Sequence, residues 1–474
     1  PAASNPLFYL AGSPTPPQAW NKCTQLAEVL TYADWSDYQV DYMGEIYSRL
    51  RAQIPAELPC VLNVNPPTDD WFGSDAWLTR INPDRWLDVH YGFTNWIGVA
   101  CDDRTVVDRY QLMIKRARGS NYEENWGFSK LYEPAFAYDA VSYYQTLIEV
   151  ASGATGYNIY TGVGTARTSP ELDISSRTVY PDVSPIDEHG RVTPKGETVR
   201  KLNRFFEHCS DFVETRPRVS VAWGAYLPYS HIRAWTQESE QARLNELGVG
   251  DGGRAFMNFE HRLLNQHLDF GLVNLQAAPL SQLQGYRTLG LAAGRWMERA
   301  TQDKLRAYVE GGGNLLLVGD LPSVDENLES YDGLQAIQDR IHLLNETEFY
   351  QSDDWIELAL PGEERTLHAL NRAGSDALIW VYEHPVSDVQ YLFVFTRSDP
   401  GDPVTFEYRT STGFHLVKVT LPSKSAGVLR VEDGRLSAAL IKGENDYTGE
   451  TIIPACDIDG VTVRAQEPGD WLMI

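Results

Sequence analysis

Lysine is scarce in this chain. Of 474 residues, 40 are basic, and only 9 of those are Lys, which leaves 31 Arg; 65 are acidic, for a net charge of −25. So acidic a chain is repelled by phosphate backbones, and nucleic acid is excluded as a partner. No run of about 18 apolar residues occurs, so no helix is expected to cross a membrane. The five cysteines, Cys23, Cys60, Cys101, Cys209 and Cys456, are odd in number and far apart. They form neither a disulfide framework nor a metal-ligand pattern. There is no internal repeat and no low-complexity segment. There is also no initial Met and no signal peptide, so the chain is expected to begin partway through a longer gene product. The hydrophobic fraction is 43% and the charged fraction 22%, which excludes disorder, collagen and coiled coil. Acidity with few Lys suits a saline, extracellular or periplasmic setting, although the same bias arises from an Arg-rich genome.

The length allows roughly three domains of about 150 residues each. In residues 1–212, "CVLNVN" (60–65), "NWIGVAC" (95–101), "YQLMIK" (110–115) and "TGYNIYTG" (155–162) read as buried strands. Residues 37–54 and 138–152 read as helices, with apolar residues three and four apart. Alternating strands and helices imply parallel βα units. Polar residues cluster at the strand ends: Asn63 and Asn65, Asp102 and Asp103, Glu123 and Glu124. In a βα barrel those ends carry the chemistry. Residues 213–348 change rhythm: short apolar strands at 218–223, 270–275, 288–294 and 314–320 alternate with helices, as in a flavodoxin-like doubly wound domain. In residues 349–474 helical periodicity fades. Alternating segments punctuated by Gly, Pro, Asp and Ser predict an antiparallel β-sandwich.

The stretch richest in chemistry is "RGSNYEENWGFSKLYEP" (118–134). Adjacent side chains on a strand point to opposite sides, so only one of Glu123 and Glu124 can face a pocket. A carboxylate among aromatic rings suits a sugar site, where rings stack on apolar sugar faces and the carboxylate acts at the anomeric carbon. A solvated acidic turn over a packed Trp accounts for the pattern equally well. In "GATGYNIYTGVGT" (153–165) the glycines permit close backbone approach, and a tightly packed corner is the plainer reading. The loop "YPDVSPIDEHGRVTPKGETVRKL" (180–202) by itself reads as a connector into a helix.

Taken in order, these three stretches resemble the last two barrel strands of the family 35 glycoside hydrolases, the β-galactosidases. In that family the seventh strand ends in a nucleophilic Glu with a Gly four residues later. Glu123 and Gly127 fit that spacing and Glu124 does not. "GAT" with Asn158, Tyr160, Gly164 and Thr165 resembles the eighth strand, one residue short. Asp182, Pro185, Asp187, Glu188, Gly190 and Lys195 match the loop that follows. The layout of barrel, flavodoxin-like domain and sandwich also resembles family 42 of the same clan, in which the middle domain helps assemble an oligomer.

The resemblance implies a retaining glycosidase that releases terminal β-galactose, with no cofactor and no metal. Glu123 would attack C1, and a partner Glu would serve as acid and base. Asn63, Asn65, Asn95, Trp126 and Tyr160 become candidate substrate-binding residues, with Tyr160 also placed to orient Glu123. The implied partners are a carbohydrate and further copies of the chain. The family's acid/base motif, Asn-Glu then Tyr-Gly after the fourth strand, is not found. Residues 5–20 contain no acid, and Asp34, Asp37, Asp41 and Glu45 read as a solvated helix face. A barrel needs eight units, typically about 250 residues, and the strands here correspond to the fifth through eighth. The expectation is therefore a half-barrel carrying the nucleophile. The acid/base would lie on the N-terminal half of the same precursor. Rival readings are a non-catalytic carbohydrate-binding or structural protein, and a clan relative acting on a glucuronide or arabinoside. An amidotransferase-like middle domain is disfavoured, because the elbow segment 288–300 has no Cys.

Overall fold

The computed structural model describes residues 23–64, 66–67, 71–80, 83–86, 90–94, 98–127, 130, 133–165, 182–235 and 241–474. The chain opens with helix α1 (Leu26–Arg51) and then builds a four-stranded parallel sheet in chain order: β1 (Val61–Val64), β2 (His90–Thr94), β3 (Ser120–Asn125) and β4 (Tyr157–Tyr160). Helices α2 (Trp71–Arg80), α3 (Arg104–Ala117) and α4 (Asp139–Ser152) connect the strands, and α5 (Pro194–His208) follows the last.

Two of the expected strands differ. Residues 110–115 lie inside α3, not in a strand. Their apolar residues belong to the set 106, 107, 110, 113, 114 and 117, spaced for a buried helical face. Asp103 starts the helix by accepting the Thr105 N–H (2.8 Å), and Arg118 ends it in the left-handed conformation. The strand expected at 95–101 is instead "HYGFT" at 90–94, and 100–102 are turn. Short apolar runs do not separate strand from helix by themselves. The Glu123–Glu124 pair consequently lies within its own strand, β3, and not after another.

The middle sheet is wholly parallel. Its strands are β6 (Val221–Ala225), β7 (Phe270–Asn274), β8 (Thr288–Ala293), β9 (Asn314–Gly319) and β10 (His342–Leu344), in the order β10-β9-β8-β6-β7. Renumbered from its own first strand, that is the 2-1-3-4-5 order of flavodoxin-like folds. The two-residue strand β5 (Arg216–Pro217) precedes it but pairs elsewhere. Helices α6 (Leu227–Arg233), α7 (Gln241–Glu246), α8 (Gly252–Asn265), α9 (Leu280–Leu283) and α10 (Arg299–Glu310) cover the sheet. Ligands in such folds lie at the switch point beyond the strand ends. Here that crevice is filled by the buried rings of Tyr226, Tyr229 and Trp296, with centroids 4.7–5.7 Å apart.

Two short helices, α11 (Glu346–Gln351) and α12 (Asp354–Ala359), lead into antiparallel structure: β11 (Leu367–Ala369), β12 (Leu378–Glu383), β13 (Val389–Phe395), β14 (Val404–Arg409), β15 (Phe414–Thr420), β16 (Ala426–Glu432), β17 (Arg435–Lys442), β18 (Glu444–Asn445), β19 (Glu450–Thr451), β20 (Ala455–Ile458), β21 (Val461–Arg464) and β22 (Trp471–Met473). One sheet runs β11-β14-β15-β20-β21, the other β22-β17-β16-β13-β12-β5. Leu392, Val394, Leu429 and Ile441 face Phe406, Val417 and Ile458 to form the core between the sheets.

The alternate residues of the six-stranded sheet do not meet water. Trp380, Tyr391, Phe393, Phe395 and Leu440 join a second core with Tyr143, Tyr144 and Leu147 of α4. The Tyr143 hydroxyl donates to the Leu440 carbonyl (3.0 Å), and the Tyr382 hydroxyl to that of Val150 (3.2 Å). Each such side chain, fully buried, contributes about 1.5–3 kcal/mol. The same core takes in Trp223, Phe256, Phe259 and Trp355, so one continuous apolar interior serves all three parts of the chain.

Candidate functional site

Strand β3 is reached through Gly119, where a Cβ would fall 2.1 Å from the Tyr91 carbonyl oxygen. It leaves through Gly127, where a Cβ would fall 1.9 Å from that of Thr161. Between these close approaches the backbone of β3 is held tightly against β2 and β4. The ladder with β4 skips: Asn121 pairs with Tyr157, and Glu124 with Ile159. Tyr122 and Glu123 therefore stand together opposite Asn158, which is a β-bulge. Bulges of this kind re-aim a side chain, and this one sits at the carboxylates.

The adjacent glutamates part as expected. Glu124 is fully buried on the helix side of the sheet, where its Oε1 accepts from the Thr146 hydroxyl of α4 (2.6 Å) and its Oε2 from the Asn121 amide. Glu123 is half-buried on the opposite side. On that side β4 exposes Asn158 and Tyr160, and the Asn158 amide donates to the Tyr122 carbonyl (3.0 Å). Tyr160 is 37% exposed, and its carbonyl accepts the N–H groups of both Trp126 (3.0 Å) and Gly127 (3.1 Å). Glu123, Asn158 and Tyr160 thus share one open face of β3 and β4.

Trp126 sits apart from that face. It has no exposed surface, and its indole N–H donates to Thr146 (3.1 Å), so the ring forms part of the wall behind β3. Asn63 is exposed on β1, two strands from β3, or roughly 10 Å at the usual spacing. It borders a cavity of about 510 Å³ shared with Gln39, Tyr47, Trp86, Tyr91 and Trp235. This cavity is lined by α1, α2 and β1, and Glu123 does not line it. Asn65 and Asn95 lie outside the described residues.

The loop motif after β4 does turn chemistry. The Asp187 side chain accepts the N–H groups of His189 (2.9 Å) and Arg191 (2.8 Å), Gly190 takes a positive φ of 77°, and Thr193 caps α5. Lys195, in the first turn of α5, is fully buried. Its Nζ donates to the carbonyls of Trp126 (3.0 Å) and Phe136, tying α5 to the end of β3. Burial pulls its ammonium down to about 7, against opposing pulls from Asp139, Asp446 and Asp182. A depressed lysine is neutral in the fold while still protonated in the unfolded chain, so it contributes stability that grows as pH rises from about 7 toward its ordinary range. The stability of the wild type relative to Lys195→Met is therefore expected to increase between pH 7 and pH 9. Urea titrations of both proteins across that range check this, and a constant difference would refute it.

Two residues at the site were not anticipated, Asn121 and Glu149. Asn121 lies two residues before Glu123 and is fully buried, and its amide also donates to Glu149 Oε2 (2.8 Å). Glu149 was readable as a lone carboxylate on the otherwise apolar face of 138–152. No cluster that would hold a metal ion occurs among the described residues. No described helix is long and apolar enough to cross a membrane.

Residues 232–354 match a family model described as GLMA-like, second domain. An exo-β-D-glucosaminidase from Pyrococcus horikoshii is 24% identical over 330 residues, covering 66% of this chain and 40% of that protein. One from Thermococcus kodakarensis is 31% identical over 186 residues, covering 39% of this chain and 23% of that protein. The chain thus spans less than half the length of these curated relatives. Among solved structures, a cold-adapted β-galactosidase from a Rahnella species superposes with a TM-score of 0.57 at 12% identity, covering 87% of this chain and 71% of that one. A GH42 β-galactosidase from G. stearothermophilus gives 0.56 at 11%, covering 89% and 72%. At such identities the likeness is one of fold, and the mixed α/β architecture of this chain is similar to that of the GH42 β-galactosidases.

Proposed function

We propose that the chain is part of a retaining, exo-acting β-glycosidase. The observation that carries this reading is Glu123, set on a bulge and half-open on the face shared with Asn158 and Tyr160, while its neighbour Glu124 is turned into the wall. In the reaction the acid/base gives its proton to the glycosidic oxygen as the Glu123 carboxylate attacks C1, so the aglycone leaves as an alcohol and a glycosyl-enzyme forms. Water, activated by the acid/base, then releases the sugar with retained configuration. Tyr160 orients Glu123, and Asn63 and Asn158 are polar contacts for the sugar. The sheet β1–β4 is read as half of an eight-stranded barrel, since among the described residues its four strands end in two unpaired edges that a barrel would close. The other four units, with the acid/base, are assigned to sequence outside these 474 residues. Residues 213–348 and 349–474 then serve as interface and support. Homo-oligomers belong to this reading, and so does an extracellular or periplasmic setting.

The names of the sequence relatives favour a terminal glucosamine as the sugar, and a chain of net charge −25 attracts that cation. The names of the fold neighbours favour galactose as the second reading. Nitrophenyl β-glucosaminide and β-galactoside separate the two. The complete protein is expected to cleave the first faster, and the 474-residue chain alone to cleave neither. Turnover by the chain alone would remove the need for an outside acid/base. No turnover of either substrate by the complete protein would sink the glycosidase reading.

A further inference from the structure

Behind Glu123 lies a buried group of polar side chains that the proposed reaction does not use. Asn121 Oδ1 accepts the Glu123 backbone N–H (2.9 Å). The other end of the same amide, Nδ2, donates to Glu149 (2.8 Å) and to Glu124. Thr146 holds Glu124 from α4 and accepts the Trp126 indole N–H. All of these side chains are buried. An isolated buried carboxylate is costly, and two of them on one amide are costlier still. An amide whose nitrogen end is gripped by two carboxyls cannot turn over, so its oxygen is presented to Glu123 in one direction. The bulge makes that contact consequential, because the two residues opposite Asn158 are where the β3–β4 ladder breaks.

We propose that Asn121 is a positioning residue, clamped from behind by Glu124 and Glu149 so that its amide sets the backbone at Glu123 and aims that carboxylate. This rests on the reading of Glu123 as the nucleophile. It also carries a pH dependence. Burial, then the charge of Glu124, push the Glu149 carboxyl well above its ordinary range, so it keeps its proton to higher pH than an ordinary carboxyl does. The groups facing the pair are Tyr110 of α3, buried and pushed up by burial and then by Glu149 and Glu124, and Tyr157 of β4, half-buried and pushed up by burial and then by Glu124, with Arg109 and Glu207 beyond them. A raised acid contributes stability that is complete below the ordinary carboxylate range and is lost as pH rises through its folded value. Above that value a second charge appears in the clamp, and its hold on Asn121 weakens.

The test uses the complete protein and 2,4-dinitrophenyl 2-deoxy-2-fluoro-β-galactoside or the corresponding glucoside. A Glu123 oxygen bonds to C1 while the C1–O bond breaks, and dinitrophenolate leaves with the electron pair. The mass of the labelled peptide reports the site. Asn121→Ala is expected to slow labelling at saturating probe about 100-fold, the scale of an ångström's misplacement, with half-saturation unchanged and faster hydrogen exchange at the Glu123 amide. Asn121→Asp keeps the acceptor but loses both donors, and is expected to be as slow. Glu149→Gln needs no proton to stay in the clamp, and is expected to label at the wild type's low-pH rate and to lose the fall in rate as pH rises. Wild-type labelling in Asn121→Ala, or an unaltered fall in rate with pH in Glu149→Gln, would overturn the proposal. If the wild type labels elsewhere or not at all, the reading of Glu123 fails instead. Amide exchange in Asn121→Ala then still decides the clamp, and an unchanged rate refutes it.

Discussion

Glu123→Gln in the complete protein is expected to abolish glycoside turnover, by a factor on the order of 10⁴ or more, as when other covalent nucleophiles are removed. The fold should be intact, because the Glu123 side chain is half-open and the bond that ties this residue to Asn121 is made by its backbone N–H. Glu124→Gln should behave differently. Its oxygens are already committed to Thr146 and Asn121, and it has no exposed surface from which to reach a sugar. Gln can replace those contacts in part, so a loss of stability is expected with most of the turnover retained. Hydrolysis rates and urea midpoints for both variants check the pair. Inactivation by Glu124→Gln with an active Glu123→Gln would reverse the assignment.

The second large effect is structural. Asp139, the first residue of α4, meets Lys442 at the end of β17, and both are nearly inaccessible to water. Thr198 of α5 also donates to Asp139, and Asp446 accepts the N–H groups of Asp139 and Ala140 (both 3.0 Å). Burial by itself would push the Asp139 carboxyl up, but Lys442, then side-chain hydrogen bonds with Asp446, Lys442 and Thr198, outweigh it and hold it below the ordinary range. Removing one partner of a buried pair leaves an uncompensated charge, at a cost of about 3–5 kcal/mol. Lys442→Met is expected to lose that much in urea unfolding. The double variant with Asp139→Leu should recover most of it, since an apolar pair of similar volume is often neutral. The sign with pH is fixed by the lowered carboxyl. Its stabilisation is present above the ordinary carboxylate range and is lost as pH falls through the folded value. The gap between wild type and Lys442→Met should therefore narrow in acid.

Local chemistry made much of this legible beforehand. Four of the five strands of the middle sheet, the alternating character of the antiparallel strands and the split of Glu123 from Glu124 all follow from side-chain periodicity. The error at 110–115 arose because "YQLMIK" is apolar enough for a buried strand. Only the wider spacing from Val106 to Ala117, with a cap at Asp103, marks it as helix. Trp126 read as a sugar platform because aromatics near carboxylates often are. Its burial depends on Thr146, twenty residues away on α4. The Asn121 clamp was illegible for the same reason. Its parts lie at 121, 124 and 149, and only the packing of α4 against β3 brings them together.

The two-faced sheet bears on how such proteins can be recombined. A sandwich with one wet face can be exchanged between relatives as a module, because its inner core is its own. Here the face made by Trp380, Phe393 and Phe395 is also the floor under α4. A graft at residue 349 would have to carry matching shapes on both sides of the seam, so sequence drift in α4 and in β13 should be coupled across the lineage. Cutting there is also expected to yield not two soluble pieces but a chain with its largest aromatic surface uncovered.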